Sequence, residues 1–310
     1  MTACSNAYGV NVSPSDDADV DLGIVWHWVA LERDRAARAA AVAQRHEDQL
    51  ARVSESMRAH HQRFATRYRQ IEQRHLAAAR LQALHAARLQ KWAQDANGLG
   101  ELRPVFMAAV AAELGVDGAA VTVFGRQHTQ AMVATSDPTA QAAHDLEFVL
   151  GEGPTTDATA SGAVVVAAGP AVRGRWPQYG AAVAELGVRA VVATPLTLPT
   201  VCLGALCGFD SRPSLHDGVA ASAGTVADVL THTVLLNSRA TGEADGIPRL
   251  PLFDEADYQA VVHQAVGMVS VQCDCDLDDA LAMLRARSFA AGRPIAAVAT
   301  QIVNGTLRLH

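Results

Sequence analysis

The chain has 310 residues, half of them hydrophobic, and a formal net charge of −7 at pH 7. This length predicts roughly two domains with connecting elements, and the apolar content is sufficient for packed cores. The sequence has no run of 18 apolar residues, and the acidic cluster Asp16, Asp17, Asp19 and Asp21 does not fit a secretion or transit signal. Five cysteines, an odd number, favour a reducing compartment over a disulfide framework. We therefore expect a cytoplasmic protein without a membrane-spanning segment.

The N-terminal third predicts a short tail followed by helix. Residues 1–22 are polar, acidic and without periodicity, which predicts a mobile tail. Residues 26–96 contain no proline or glycine, which predicts one long helix over residues 23–97. One heptad column of this helix is mostly apolar: Val29, Ala36, Ala43, Leu50, Met57, Phe64, Ile71, Ala78, His85 and Trp92. The companion column is polar, so we expect a coiled coil or an antiparallel hairpin-like pairing through self-association into a homodimer; a helix folded back on the next domain is the alternative.

The basic charge of the chain is concentrated in this helix. Residues 27–95 hold 13 Lys and Arg against 7 Asp and Glu, a balance of +6, which leaves −13 for the remaining residues. The arginines alternate with acids around the helix, which favours a solvated surface over RNA contact. Six histidines also lie here: His27, His46, His60, His61, His75 and His85. Pairs two heptads apart on a straight helix are about 21 Å apart, so we expect no metal site.

Residues 98–240 change in character and predict a second type of fold. We expect helices over 101–114, near 138–148 and 178–186, and over 217–237, and strands over 119–124, 130–135, 164–167, 190–196 and 201–209. The last two strands are joined by residues 197–200 and must be antiparallel. This order predicts an α+β sandwich with a central, mostly antiparallel sheet.

Four phrases of this segment carry a resemblance: LGEGPTTDA (150–158), RWPQY (175–179), GVRAVVATPL (187–196) and LGALCGFD (203–210). They resemble the GAF domain, a small-molecule-sensing fold of which some members serve only as dimerisation modules. The resemblance implies a ligand cleft between the sheet and its covering loops, with Glu152, Thr155, Asp157, Trp176 and Tyr179 as candidate ligand contacts. The alternative is a turn and helix cap at 151–157 with Trp176 in the core. Thr155 stands where the family often has cysteine, which argues against thiol-based sensing.

After a predicted linker over 241–253, residues 254–310 predict three short amphipathic helices. Their apolar stripes are Tyr258, Val261, Val262, Ala265, Met268 and Val269; Leu277, Ala280, Leu281, Leu284 and Ser288; and Ile295, Val298, Ala299, Ile302 and Val303. We expect Asp254 and Asp276 to cap the first two helices, Gly292 to end the second, and Asn304 with Gly305 to end the third. A three-helix bundle of this size is typical of a binding module.

The phrases VHQAVGMVSVQ and DDALAMLRARSFAAGRPIAAVATQIV resemble the ANTAR domain, the RNA-binding output module of bacterial transcription antiterminators, over residues 255–305. The resemblance rests on Ala265, Gly267, Ala280, Leu284, Arg285, Ile295, Val298 and Ala299. It implies that the bundle binds stem-loop RNA in a nascent transcript, under control of the GAF-like sensor. The candidate RNA-binding residues are Arg285, Arg287, Arg293, Gln264 and His263.

The charge of this module opposes RNA binding. Residues 255–310 hold four arginines against six acids, and Val266 stands where family members commonly carry a basic residue. A local arginine patch must therefore supply the contacts, because hairpin loops are also recognised by stacking and hydrogen bonding. The alternative is a non-catalytic dimeric interaction scaffold that has lost RNA binding.

Motifs of catalysis are missing from the sequence. It has no GxSxG, HExxH, phosphate-binding loop, kinase signature or dinucleotide-binding glycine fingerprint, so we expect no enzyme and no cofactor. Cys273 and Cys275 form a CxC pair, but zinc usually needs two further ligands, and we expect a solvent-exposed turn there. The sequence thus predicts a multidomain regulator made of a long helix, a GAF-like α+β sandwich and an ANTAR-like bundle.

Overall fold

The computed structural model describes residues 14–95, 104–124, 130–239 and 258–309. Its first two elements are long helices, α1 (Pro14–Gln49) and α2 (Glu55–Asp95), which pack antiparallel as a hairpin. The prediction of one uninterrupted helix is therefore wrong, because the chain turns at residues 50–54. The carbonyl of Ser54 accepts hydrogen bonds from the N–H groups of Met57 and Arg58, both at 3.1 Å. Serine followed by glutamate is a common way to begin a helix, and this signal was present in the sequence.

The first helix also begins earlier than the sequence analysis predicts. It starts at Pro14, so the predicted tail over residues 1–22 is too long; residues 1–13 lie outside the described part. Proline is favoured at the first helical position, and acidic residues such as Asp16 and Asp17 are favoured in a first turn. The predicted linker over 241–253 and the cap at Asp254 lie outside the described residues.

The hairpin buries the α1 part of its apolar column within a single chain, whereas Met57 and Phe64 of α2 are 45% and 39% exposed. Val29, Ala36 and Ala43 of α1 are at most 3% exposed. Across the seam, Arg69 donates to Glu47 at 2.7 Å, and Nδ1 of His75 lies 2.5 Å from the carboxylate of Glu32. These contacts take the place of the partner helix that the sequence analysis expected from a second copy. The homodimer therefore remains a prediction.

The turn of the hairpin brings together two histidines that a straight helix would separate. The Nδ1 atoms of His46 and His61 are 3.0 Å apart, which fits an N–H···N hydrogen bond between two imidazoles. The ring of His46 stacks on Phe64, with centroids 5.2 Å apart and an interplanar angle of 22°. Among the described residues, no group of three or more His, Cys, Asp or Glu side chains is placed to hold a metal ion.

Residues 104–239 form an α+β sandwich around a five-stranded antiparallel sheet in the order β2-β1-β5-β4-β3. The strands are β1 (Gly118–Phe124), β2 (Gln130–Thr135), β3 (Val165–Ala168), β4 (Ala190–Leu198) and β5 (Val201–Asp210). The helices are α3 (Phe106–Leu114), α4 (Pro138–Leu150), α5 (Pro154–Ser161), α6 (Pro170–Arg175), α7 (Pro177–Glu185) and α8 (Val219–Arg239). The predicted fold class is confirmed. Helices α5 and α6 were not predicted from the sequence, because they have only eight and six residues; both begin at prolines.

Each face of the sheet carries its own apolar core. On one face, Ala77 and Leu81 of α2 pack with α3 and α8, so the second helix of the hairpin belongs to the sandwich. Helix α2 therefore follows the alternative of a helix folded back on the next domain. The predicted boundary at residue 98 lies outside the described residues. On the other face, α4, α5 and α7 cover the sheet, with Trp176, Tyr179 and Phe209 in the core.

The C-terminal helices α9 (Tyr258–Cys273), α10 (Leu277–Ala291) and α11 (Ile295–Val303) form the predicted bundle. The side chain of Asp276 accepts from the N–H of Asp279 at 2.8 Å, and Gly292 ends α10 in the left-handed region at φ 57°. Leu277, expected on the buried stripe, is 61% exposed. It is the first residue of α10 and lies before the part of the helix that packs on the core. Across the described residues, no helix is long and apolar enough to cross a membrane.

Candidate RNA-binding surface and sensor interior

The junction of α10 and α11 places two of the predicted RNA-binding arginines in solvent. Arg287 and Arg293 are exposed, on either side of the end of α10. The buried hydroxyl of Ser288 donates to the carbonyl of Arg293 at 2.6 Å, and the N–H of Arg293 donates back to the carbonyl of Ser288 at 3.2 Å. This reciprocal pair fixes the backbone at the junction. Ser288 was predicted on the buried stripe, and it is 2% exposed.

A phenylalanine at the same junction was missed by the sequence analysis. Phe289 is 66% exposed, although aromatic side chains of this size are usually covered. The available signal was its position, because Phe289 lies outside the apolar stripe that contains Leu284 and Ser288. We refer to Arg287, Phe289 and Arg293 together as the α10 corner. Guanidinium groups bind phosphates, and an exposed aromatic ring stacks on unpaired bases, so this corner has the chemistry to bind an RNA loop.

Two further candidates lie on a different helix. His263 and Gln264 are both exposed on α9, whereas the α10 corner is at the end of α10. Their exposure permits contact with a ligand. The structure places them outside the core of the bundle, in keeping with the predicted stripe of Val262, Ala265 and Val269.

Three of the five predicted ligand contacts of the α+β domain have structural roles. The carboxylate of Glu152 accepts from the N–H groups of Gln178 (2.7 Å) and Tyr179 (2.9 Å), at the start of α7. Asp157 accepts from Nε of Arg175 at 2.7 Å and from the indole N–H of Trp176 at 3.2 Å. Trp176 itself is 2% exposed and belongs to the core. The alternative interpretation of a turn, a cap and a core tryptophan therefore fits these residues.

The other two candidates face the interior of the domain. Thr155 and Tyr179 are buried on the side of the sheet covered by α4 and α5, where the Cys207 thiol also lies. Burial raises the pKa of both Tyr179 and Cys207 well above the ordinary value, and the nearby carboxylate of Glu147 raises each pKa further. We refer to His144, Glu147, Thr155, Tyr179 and Cys207 as the sensor interior.

Two members of the sensor interior are buried ionisable groups on α4. Burial raises the pKa of Glu147 to about 7, against hydrogen bonds that lower it, the largest from the N–H of Thr156. Burial lowers the pKa of His144 to about 4. Among the described residues, Oε2 of Glu147, Nε2 of His144 and the hydroxyl of Tyr179 are buried without a hydrogen-bond partner. Such atoms are costly unless a ligand or solvent molecule satisfies them.

The sequence contains a signal for these two buried groups. Ala140, Ala143, His144 and Glu147 follow the i, i+3, i+4, i+7 spacing of a buried helix stripe. A histidine and a glutamate at positions where the period requires apolar residues indicate a buried polar site.

Comparison with known proteins decides the identity of the C-terminal bundle. Residues 254–303 match the ANTAR domain. The chain carries an ANTAR domain. No curated protein matches the chain significantly.

Three solved structures are similar to part of the chain. A domain assigned to a two-component sensor histidine kinase protein of Sinorhizobium meliloti 1021 is 19% identical, over 44% of this chain and 92% of that one, with a TM-score of 0.35. The GAF domain of the cyanobacteriochrome TePixJ is 16% identical, over 41% and 86%, with a TM-score of 0.29. The chromophore-binding domain of the bacteriophytochrome RpBphP3 from R. palustris is 14% identical, over 54% and 62%, with a TM-score of 0.31.

The ANTAR domain packs directly on the GAF-like domain. Phe148 and Val149, at the end of α4, lie against the apolar core of the ANTAR domain. The guanidinium carbon of Arg285 lies 4.2 Å from the centroid of the Phe148 ring, and Nε of Arg285 is buried. The candidate Arg285 is thus set apart from the exposed Arg287 and Arg293, because it lies against another domain of the chain. The sequence of α10 alone could not show that a second domain covers this face.

Two clefts on the GAF-like domain contain none of the five predicted ligand contacts. A groove of about 770 Å³ runs between α2 and α8 and includes Arg69, Arg74 and Asp228. Arg69 pairs with Glu47 and Glu72, and Arg74 pairs with Asp228, so these charges have partners within the chain. A smaller cleft of about 230 Å³ is lined by acids that cap a helix or accept hydrogen bonds from neighbouring residues: Asp117, Asp137 and Asp210. The sensor interior remains the stronger candidate for a ligand site.

Proposed function

We propose that this chain is a signal-responsive transcription antitermination regulator that binds stem-loop RNA through its ANTAR domain under control of the GAF-like domain. The observation that carries the proposal is the match of residues 254–303 to the ANTAR domain, on helices whose caps and core follow the sequence. In this proposal the protein is not an enzyme, and it acts by binding an RNA hairpin.

The α10 corner supplies the RNA chemistry in a module whose net charge is unfavourable. Residues 255–310 carry four arginines and six acids, so long-range attraction to a polyanion is absent. Binding then depends on local contacts, in which Arg287 and Arg293 pair with phosphates and Phe289 stacks on a loop base. The hydrogen bonds between Ser288 and Arg293 fix the backbone from which these side chains project, which limits the backbone entropy that binding costs.

A gel-shift titration with tandem hexaloop hairpin RNA at about 50 mM salt tests the proposal. We expect the full chain to bind this RNA and to bind a duplex of the same length without loops much more weakly. If neither the wild-type chain nor a variant with its ANTAR domain released binds the hairpins, the RNA function is wrong. The dimeric interaction scaffold would then be the better account of the bundle.

We also propose that the sensor interior binds a small polar organic ligand without a metal ion. Its support is the set of buried polar atoms at Glu147, His144 and Tyr179 that lack partners in the described part of the chain. A ligand with hydrogen-bond donors and acceptors would satisfy them in a site closed from water. Binding there would act on α4, the helix that also contacts the ANTAR domain.

Replacing Tyr179 by phenylalanine separates a ligand role from a packing role. We expect the ligand-free variant to be as stable as the wild type or about 1 kcal/mol more stable, because the change removes a buried hydroxyl without a partner. Metabolites that raise the melting temperature of the wild-type chain are expected to lose that effect on Tyr179→Phe. A fall of several degrees in the ligand-free melting temperature would show that the hydroxyl is needed for the fold and would contradict the ligand role.

A further inference from the structure

The contact between Arg285 and Phe148 joins the RNA-binding module to the sensor. The guanidinium lies over the aromatic ring at 4.2 Å, the geometry of a cation–π interaction. Nε of Arg285 is buried, and Phe148 and Val149 pack on the ANTAR core around it. An arginine expected to bind RNA is thus in contact with another domain of the same chain.

This arrangement and RNA binding compete for the same side chain. One face of the guanidinium lies against the ring of Phe148, which itself packs on the apolar core of the ANTAR domain. Arg285 and Phe289 are four residues apart on α10 and therefore share a face of the helix. A hairpin that contacts the α10 corner can extend its contacts to Arg285 only after α10 has moved away from α4.

We propose that docking of the ANTAR domain on the end of α4 withholds Arg285 from RNA, and that undocking makes it available. The proposal rests on the RNA-binding function proposed above and adds its regulation. The docked state binds hairpin RNA weakly through the α10 corner alone. The undocked state binds it with the corner and Arg285 together.

The position of Phe148 in the chain gives the sensor a means of control. Glu147, the residue before it, is in the sensor interior, with Oε1 accepting from the N–H of Thr156 at 2.7 Å. Phe148 therefore faces the ANTAR domain from the same helical turn that lines the sensor interior. A ligand that shifts this turn moves both residues, because they are neighbours in one helix. Contacts between domains of one chain are commonly weak enough for such a change to release them.

The test uses the full chain with Phe148→Ala, which removes the docking contact and leaves every arginine in place. Val166→Ala is the matched control, because Val166 is a partly exposed apolar residue on β3 of the same domain. Amide hydrogen exchange of residues 138–150 and 277–291 measures docking. Gel-shift titration with tandem hexaloop hairpin RNA at about 50 mM salt measures binding.

We expect Phe148→Ala to accelerate exchange in both segments and to bind RNA roughly 5- to 30-fold more tightly, in line with the loss of one cation–π contact and its packing. Val166→Ala is expected to behave as the wild type in both assays. Unchanged exchange in Phe148→Ala would overturn the docking. Faster exchange with unchanged RNA affinity would overturn the blocking of Arg285. Absence of RNA binding in both chains would overturn the RNA function and the blocking together, while exchange would still decide the docking, so the failures are distinguishable.

Discussion

Replacing Arg287 and Arg293 together by alanine is expected to weaken binding of hairpin RNA by roughly 2 to 4 kcal/mol, or about 30- to 1000-fold. Both side chains are exposed at the α10 corner, so the change removes cationic groups without disturbing the core. Each phosphate contact releases counterions, so the slope of log affinity against log salt should fall in magnitude by about two contacts. Gel-shift titrations at several salt concentrations measure both quantities.

Two single variants distinguish the contacts at this corner. Arg308→Ala removes the same charge from an exposed arginine beyond α11 and is expected to leave affinity nearly unchanged. Phe289→Leu keeps the charge and removes the aromatic face, so affinity should fall while the salt dependence stays as in the wild type. An equal effect of Arg308→Ala and of Arg293→Ala would mean that net charge, not the α10 corner, governs binding.

The elements that could be predicted from the sequence are those whose determinants are local. The ends of α10 follow from Asp276 and Gly292, whose capping roles depend only on the neighbouring backbone. Strand β2 agrees at both ends with the prediction, and the helix cap at Asp137 follows it directly. Local capping and periodicity leave few alternatives for such segments.

The errors arise where the outcome depends on distant parts of the chain. Ser54 and Glu55 supply a local signal for a helix start, but the segment has no glycine or proline that would require a turn. The chain turns there because the two halves of the hairpin bury apolar residues against each other and against the sandwich. The position of Arg285 is another example, since only the packing of two domains brings it over Phe148. Helical periodicity describes which face is buried but not what covers it.

The candidate ligand site shows the same limit. Glu152, Asp157 and Trp176 occur in the phrases that resemble the GAF domain, yet their hydrogen bonds and burial explain them as parts of the fold. The buried polar groups that lack partners within the described residues include His144 and Glu147, on a helix outside most of that resemblance.

The buried carboxyl group of Glu147 is expected to give the chain a distinctive pH dependence. Its pKa is raised by burial from an ordinary value of 4.5 to about 7, so the folded state holds this proton more tightly than the unfolded state. Its contribution to stability is therefore complete below about pH 4.5 and is lost as the pH rises through about 7. The shift corresponds to roughly 3 kcal/mol in the free energy of unfolding.

His144 acts in the opposite direction. Burial lowers its pKa from 6.5 to about 4, so its contribution is complete above about pH 6.5 and is lost as the pH falls through about 4. Between about pH 4.5 and 6.5 the two contributions change with opposite sign and nearly cancel. The free energy of unfolding of the wild-type chain is therefore expected to change little with pH in this range, although both pKa values are shifted.

Glu147→Gln is expected to separate the contributions of Glu147 and His144 to the pH dependence of stability, because glutamine is neutral at every pH in this range. Relative to the wild type, the free energy of unfolding of the variant should rise by roughly 3 kcal/mol between about pH 4.5 and 7.5. In the variant, His144 should then determine how the free energy of unfolding changes below about pH 6.5. Urea unfolding followed by tryptophan fluorescence at a series of pH values measures this difference. Glu185→Gln, which removes an exposed carboxylate from α7, controls for the change in net charge. A difference between Glu147→Gln and the wild type that stays constant with pH would mean that Glu147 titrates as an ordinary surface carboxylate, and its side chain would then have to lie outside the sensor interior.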